Sequence, residues 1–351
     1  MKNSSRKRSI FRLLRRLLAM GVLIILFLVG ILWLWPIPLA ELAPHRPAPI
    51  TVDEYWESLR KADEDPALSE VGHSIRIPAR DSNRDLVVMV HGLTNCPEQF
   101  RSFAEALSEE TGCEIIIPRI PFHGLADRMN RETAELSGEV MVKYAEDIGR
   151  IVDDAKAGGG SVTVMGLSLG GTITAWLAQH YPIDHAVLIS PVLGVFNWHG
   201  TLNPPVVNLT RLRKQDFQWW HPELKENNPG PNYAYPQYSI YSIGQILRVA
   251  MHVQHEASTT RPCCDAITIV TNESDKAVSR NAIDHLAELW EAHDGVHVRR
   301  HTFPKEPPLH HDLIDPNQVI LRGEEALPAR PDVVYPVLID LILNSAESGE
   351  G

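Results

Sequence analysis

One stretch of this chain narrows its possible folds more than any other: Val162 to Ala178, VTVMGLSLGGTITAWLA. A short β-prone run, VTVM, passes within a few residues into a helix-spaced one, Thr172 to His180. Between them, Ser168 stands two residues after Gly166 and two before Gly170. A chain that leaves a strand and enters a helix so quickly must turn sharply. The apical residue takes strained dihedrals, and the positions flanking it tolerate little beyond glycine. Such a bend suits the carboxyl end of a strand in a parallel sheet, and it lifts the serine hydroxyl above that edge. The adjoining helix N-terminus carries partial positive charge, which favours a developing anion. The G-x-S-x-G spacing alone occurs by chance; the strand before it and the helix after it give it weight.

The rest of the chain alternates in the same way. HSIRI (73–77), LVVMV (86–90), EIIIP (114–118), HAVLIS (185–190), AITIV (266–270) and VHVRRHTF (296–303) read as strands. Helical spacing appears at 97–110, closed by Gly112, and at 139–157, closed by Gly158-Gly159-Gly160. It appears again at 279–292 and near 332–344. Most of the strands are continuous apolar runs, which predicts an α/β fold with a mainly parallel central sheet and helices on both faces. Hydrophobic residues at 44% and charged residues at 22% supply the core that this architecture needs. No repeat period is visible, which excludes solenoids and propellers. Residues 192–262 break the rhythm: they show no clear strand–helix alternation but hold Phe196, Trp198, Phe217, Trp219, Trp220, Tyr233, Tyr235, Tyr238 and Tyr241. A stretch this long and this aromatic is expected to cap a site.

The N-terminus follows different rules. Seven basic side chains and no acid lie in residues 1–16, and Leu17 to Trp35 is then uncharged. At about 1.5 Å per residue this run spans roughly the ~30 Å hydrocarbon core. It is longer than a signal-peptide core and no A-x-A site follows it, so a single-pass anchor is expected rather than a cleaved signal. Trp33 and Trp35 suit the interface, and the basic flank stays cytoplasmic, which places the remaining chain on the far side. Five prolines in residues 36–50 read as a stiff spacer, and Thr51-Val-Asp-Glu54 has capping-box spacing. Without residues 1–35 the net charge of −11 becomes −18, which repels nucleic acid and anionic headgroups. Cys96, Cys113, Cys263 and Cys264 match no zinc spacing.

A serine becomes a strong nucleophile only beside a base that an acid orients. On a doubly wound sheet the expected order is serine, acid, histidine. Asp275 in TNESDKAVS follows strand 266–270, at the end of the strand where such sheets place their sites; Glu273 and Asp265 fit less well. PPLHHDLIDP follows the last strand and offers His310 or His311, of which His311 is preferred. His73, His180 and His293 read as surface residues. His91-Gly92 ends strand 86–90, so the backbone amides of Leu93 and Leu169 are the natural donors to a tetrahedral oxyanion.

Taken together, HGL after a strand, IPRIPFHGLAD (117–127), GLSLGG, NESDKAV and HHDLIDP resemble, in order, the α/β-hydrolase fold superfamily, specifically carboxylesterases and monoacylglycerol lipases. The resemblance covers roughly residues 70–345. It implies a serine esterase with Ser168, Asp275 and His311 as the triad, and a cap at about 192–262. Two departures stand out. Phe122 occupies a position where the loop often carries glycine, and Asn95-Cys96 follows the oxyanion turn where small residues are common, which would narrow the acyl end of the pocket. The same triad also runs acyl transfer, thioester hydrolysis and peptide cleavage, and a hydrolase-like scaffold can serve as a binding module. The insertion is aromatic although it carries Arg211, Arg213, Lys214 and Glu223, which favours an ester or lipid substrate. The mechanism calls for no metal or organic cofactor, and nothing in the sequence reports an oligomeric state.

Overall fold

A computed structural model of the chain describes residues 2–80, 83–195, 202–322 and 325–344. Phe196 and Trp198 lie outside the described residues. The elements are α1 (Lys2–Leu34), α2 (Val52–Ala62), β1 (Ile75–Ile77), β2 (Leu86–Val90), α3 (Arg101–Thr111), β3 (Glu114–Ile117), α4 (Gly138–Ala157), β4 (Val162–Leu167), α5 (Leu169–His180) and β5 (His185–Ile189). There follow α6 (Asn203–Thr210), β6 (Phe217–Trp219), β7 (Gln237–Ser239), α7 (Ile240–Ala257), β8 (Ala266–Asn272), α8 (Arg280–Glu291), β9 (His297–Phe303), β10 (Val319–Arg322), β11 (Glu325–Pro328) and α9 (Pro331–Leu343).

Seven strands form one sheet in the order β1-β3-β2-β4-β5-β8-β9. Only the edge pair β1–β3 is antiparallel. The register sets Val88 beside Val164 and Gly166 beside Leu188. Every residue of β2, β4 and β5 is buried, as continuous apolar runs require when helices cover both faces. One face packs Val88, Val164 and Ala186 against Ile148, Trp176, Val249 and Leu286. The other packs Met89, Met165 and Val187 against Phe103, Leu107 and Leu338. α4 meets α5 closely because Gly149 leaves room for the Tyr181 ring; a Cβ there would overlap it.

Three expectations change. The aromatic insertion ends earlier than residue 262, because Ile240–Ala257 is an eighteen-residue helix with Ser239 as N-cap. Its Ile246, Leu247, Ala250 and Val253 are fully buried at helical spacing, so α7 is the crossover that carries β5 to β8, not part of a lid. Residues 36–50, read as a stiff spacer, are instead fastened along the domain. Leu42 is fully buried and its carbonyl accepts from Trp176 Nε1 at 2.9 Å. Arg248 on α7 donates to Pro38 O at 2.5 Å and to Glu41 Oε2 at 2.8 Å, and Arg150 Nε reaches Ala48 O at 2.7 Å. The prolines hold an extended strap against α4, α5 and α7; burying Leu42 alone stabilises it by roughly 2 kcal/mol. The strap ends at the predicted capping box, where Glu54 N donates to Thr51 Oγ1 and Thr51 N to Glu54 Oε2 at 2.8 Å. His180, expected on the surface, is buried against Trp176 and His252. Burial pushes its imidazole down to about 3.

Leu14–Leu34 of α1 is long and apolar enough to cross a membrane, and none of it is buried in the protein. All four cysteines are free thiols, and only Cys263 is exposed.

Candidate active site

Ser168 joins β4 to α5 with φ 58° and ψ −112°, a left-handed φ that side chains other than glycine rarely adopt. Its N–H donates to Ile189 O at 2.8 Å, and its carbonyl accepts from Thr172 N at 3.1 Å and Val192 N at 3.2 Å. A Cβ at Gly166 would overlap the Gly170 carbonyl, and one at Gly170 would overlap Val90 O. Glycine is therefore required at both positions: the bend presses against β2 and against itself. The Ser168 hydroxyl makes no hydrogen bond among the described residues, and its side chain is partly open to solvent.

Asp275 lies just beyond β8 and His311 beyond β9, both at the carboxyl edge of the sheet that carries Ser168. The structure joins these two: His311 Nδ1 lies 2.7 Å from Asp275 Oδ2. The other carboxylate oxygen accepts from Ala277 N at 2.8 Å. Burial alone would raise the Asp275 carboxyl, but the charge and hydrogen bond of His311 and the Ala277 amide outweigh it, so its pKa falls below the ordinary value. Burial would lower His311, yet Asp275 and then Asp312 hold its pKa above the ordinary imidazole value. No hydrogen bond between Ser168 Oγ and His311 is present among the described residues.

His310 is turned elsewhere. Its Nδ1 accepts from Asp312 N at 3.0 Å, its carbonyl accepts from Asn272 Nδ2 at 3.1 Å, and burial lowers its pKa. Glu273 accepts from Lys305 N and Asp265 pairs with Arg261, so neither approaches His311.

The amides of Leu93 and Leu169 donate to no group among the described residues. The turn that carries Leu93 is held from several sides. His91 is fully buried; its Nε2 accepts from Ile120 N at 3.0 Å and its Nδ1 sits 3.0 Å from Gly92 O. Burial keeps His91 neutral, far below the ordinary value, which matches one ring nitrogen accepting and the other donating. Thr94 takes φ 67° and Phe122 φ 68°, so the phenylalanine noted in the sequence holds a backbone shape that favours glycine and costs about 1–3 kcal/mol. Cys96 Sγ turns to Val71 O, and the Asn95 amide turns to Asp312.

Several polar residues in this network escaped the sequence reading. Gln99, almost fully buried, accepts from Gly92 N at 2.7 Å and donates to Asp312 Oδ2 at 2.5 Å. Asp312 also accepts from Ile314 N, Asp315 N and Gln318 Nε2. Gln99 and Asp312 thus link the oxyanion turn to the histidine loop across 213 positions of sequence. The insertion touches both loops. Trp220 Nε1 donates to Thr94 Oγ1 at 2.9 Å, Tyr235 N to Thr94 O at 2.7 Å, and Tyr233 OH to Asp315 Oδ2 at 2.7 Å. Asp315 is fully buried; burial and the neighbouring Asp312 raise its carboxyl to about 7.

Residues 85–237 match the family model of the alpha/beta hydrolase fold. A thermostable monoacylglycerol lipase from Bacillus sp. (strain H-257) is 28% identical over 204 residues, which is 56% of this chain and 73% of that protein. The chain has the α/β-hydrolase fold and is similar to lipases and esterases that share it. Among solved structures, a metagenome-derived lipolytic enzyme superposes with TM-score 0.55 at 16% identity, over 79% of this chain and 99% of its own. The monoglyceride lipase of Saccharomyces cerevisiae gives 0.54 at 13% identity, over 77% and 89%. The monoacylglycerol lipase of Paleococcus ferrophilus gives 0.52 at 15%, over 78% and 99%. These superpositions extend the hydrolase fold over most of the chain beyond α1. Among the described residues, no group of three or more histidine, cysteine or acidic side chains is arranged to hold a metal ion.

Proposed function

We propose that this α/β hydrolase is a membrane-anchored serine esterase that cleaves carboxylic esters with an apolar acyl part. The observation that carries this reading is the Asp275–His311 pair, at 2.7 Å, on the same sheet edge as the strained Ser168. His311 takes the hydroxyl proton as Ser168 Oγ attacks the ester carbonyl, and Asp275 holds the imidazole in the tautomer whose Nε2 is free to accept it. The oxyanion forms against the Leu93 and Leu169 amides, and one such donor commonly contributes about 3–4 kcal/mol. His311 then returns the proton to the departing alcohol. Water attacks the acyl-serine by the same route and releases the acid. The Bacillus relative acts on monoacylglycerols by its name, and the aromatic insertion suits an apolar chain, so a monoacylglycerol is the first substrate to try. Leu14–Leu34 anchors the enzyme, with its basic N-terminal flank in the cytoplasm and the catalytic domain on the other side. A fluorophosphonate probe should label the protein at Ser168, and Ser168→Ala should abolish both labelling and turnover of p-nitrophenyl butyrate, by about 10⁴-fold or more. Labelling that persists in Ser168→Ala would overturn the assignment.

A further inference from the structure

The insertion is fastened to the end of the apolar helix. Asn208, fully buried on α6, donates from Nδ2 to Leu32 O and to Trp35 O, both at 2.9 Å. Arg211, one turn later, donates to Pro36 O at 3.2 Å, and its guanidinium lies 5.6 Å from the centre of the Trp35 ring. Carbonyls in the last turn of a helix lack partners within it, and at the edge of a bilayer such groups need donors from elsewhere. Here the donors come from the element that leads into the cap. The strap continues the joint, since Pro38, Glu41 and Leu42 are fixed to Arg248 and Trp176. No slack segment lies between α1 and the catalytic domain.

This joint has a distinctive surface. Leu209 and Leu212, beside the two docking residues, are 46% and 64% exposed, and Trp33 and Trp35 are each about 40% exposed. Leucine and tryptophan beside Arg211, Arg213 and Lys214 is the composition of a segment lying in a headgroup region. The domain as a whole is strongly negative, so general attraction to anionic lipid would not orient it; a fixed joint would. From α6 the insertion runs on to Trp220, Tyr233 and Tyr235, which bond the oxyanion and histidine loops.

We propose that α6 and the end of α1 form a rigid joint that seats the insertion in the bilayer surface, with Leu209 and Leu212 among the headgroups, so that ester reaches Ser168 from the lipid phase. This rests on the membrane-anchored esterase reading. Three proteins test it: the full chain, Asn208→Leu, and the full chain with about ten Gly/Ser residues inserted between Trp35 and Pro36, a flexible length that frees the domain from the helix end. Each is reconstituted in phosphatidylcholine vesicles and assayed on p-nitrophenyl acetate in water and on monooleoylglycerol in the bilayer. The joint predicts that acetate turnover stays within about twofold, which also reports correct folding, while monooleoylglycerol turnover falls about tenfold or more in both altered proteins. In a Cys263→Ser background, a bimane on Leu212→Cys should be quenched by brominated lipid, with the quenching lost on insertion; one on Lys156→Cys, before the amino end of β4, should not be quenched. Unchanged monooleoylglycerol turnover in the inserted protein, or an unquenched Leu212 label, overturns the joint. A wild-type chain washed off membranes by alkaline carbonate instead overturns the anchor, and one inert on both esters overturns the esterase.

Discussion

The loops that carry the candidate triad and the insertion between β5 and α7 are held in opposite ways. The triad loops leave the carboxyl ends of β4, β8 and β9 in one sheet. Their backbone amides are taken up by buried side chains: Asp275 by one such contact, Asp312 by two, Gln99 by one. The insertion spans the distance from Val192 to Ser239 and is tied down at separate points by Trp220, Tyr233, Tyr235 and Asn208. One region is fixed by the sheet that carries it; the other by whatever it can reach. On the proposed reading, reaction geometry rests on the sheet and substrate choice on the side-chain contacts of the insertion.

Substitutions should separate the two regions, and the largest effect is expected among the triad loops. Asp275→Asn removes the acid but keeps its shape, and kcat for p-nitrophenyl butyrate should fall about 10³–10⁴-fold with KM little changed. As the proposed base, His311 would work only when neutral, and Asp275 raises its pKa, so the acid limb of kcat/KM in the wild type should lie above the ordinary value of about 6.5. In Asp275→Asn the limb should move to lower pH. A limb that stays in place would mean Asp275 does not act on His311.

Gln99→Ala addresses the link between the oxyanion turn and the histidine loop. It leaves Gly92 N–H without a partner, which costs about 1–3 kcal/mol, and takes one of three donors from Asp312 Oδ2. Denaturant melts should show that loss of stability, and kcat should drop about 10–100-fold with KM nearly unchanged. A loss of stability with full kcat would make Gln99 a packing residue only.

The smallest effect is expected where the insertion meets the histidine loop. Asp315 has a folded pKa of about 7, well above that of an exposed aspartate. Its contribution to stability is therefore complete at low pH and is lost as pH rises toward and through 7. Asp315→Asn should flatten that decline between about pH 4 and 7 while leaving p-nitrophenyl butyrate turnover within a few-fold. An unchanged slope would place the charge elsewhere.

What could be read from the sequence follows the same division. Ser168 stands out in the sequence because the glycine on either side of it marks a tight bend, Gly166 by a clash within the bend and Gly170 by one with β2. Asp275 and His311 stand out in the sequence because each sits in a loop that leaves a strand, and the structure sets these two side chains in contact. Gln99 was not: its partners lie seven and 213 positions away, and a glutamine opening a helix has no periodic signature. The strap was misread for a similar reason. Proline-rich sequence reports stiffness, and only the fold reveals that Leu42 finds a slot among α4, α5 and α7. α7 did announce itself through Ile243, Ile246, Ala250 and Val253, but the aromatic residues preceding it drew the boundary too late.

Arg248 gives the strap a consequence for anyone preparing a water-soluble form of the enzyme. That guanidinium is 5% exposed, and the strap supplies the Pro38 carbonyl and the Glu41 carboxylate among its partners. A truncation beginning at Pro36 sheds the greasy helix and keeps both. A truncation beginning at Thr51, the boundary a reader of domain maps would choose, takes two partners from that buried cation, leaving it Glu139 and Gln245, and opens a leucine-sized hole beside Trp176.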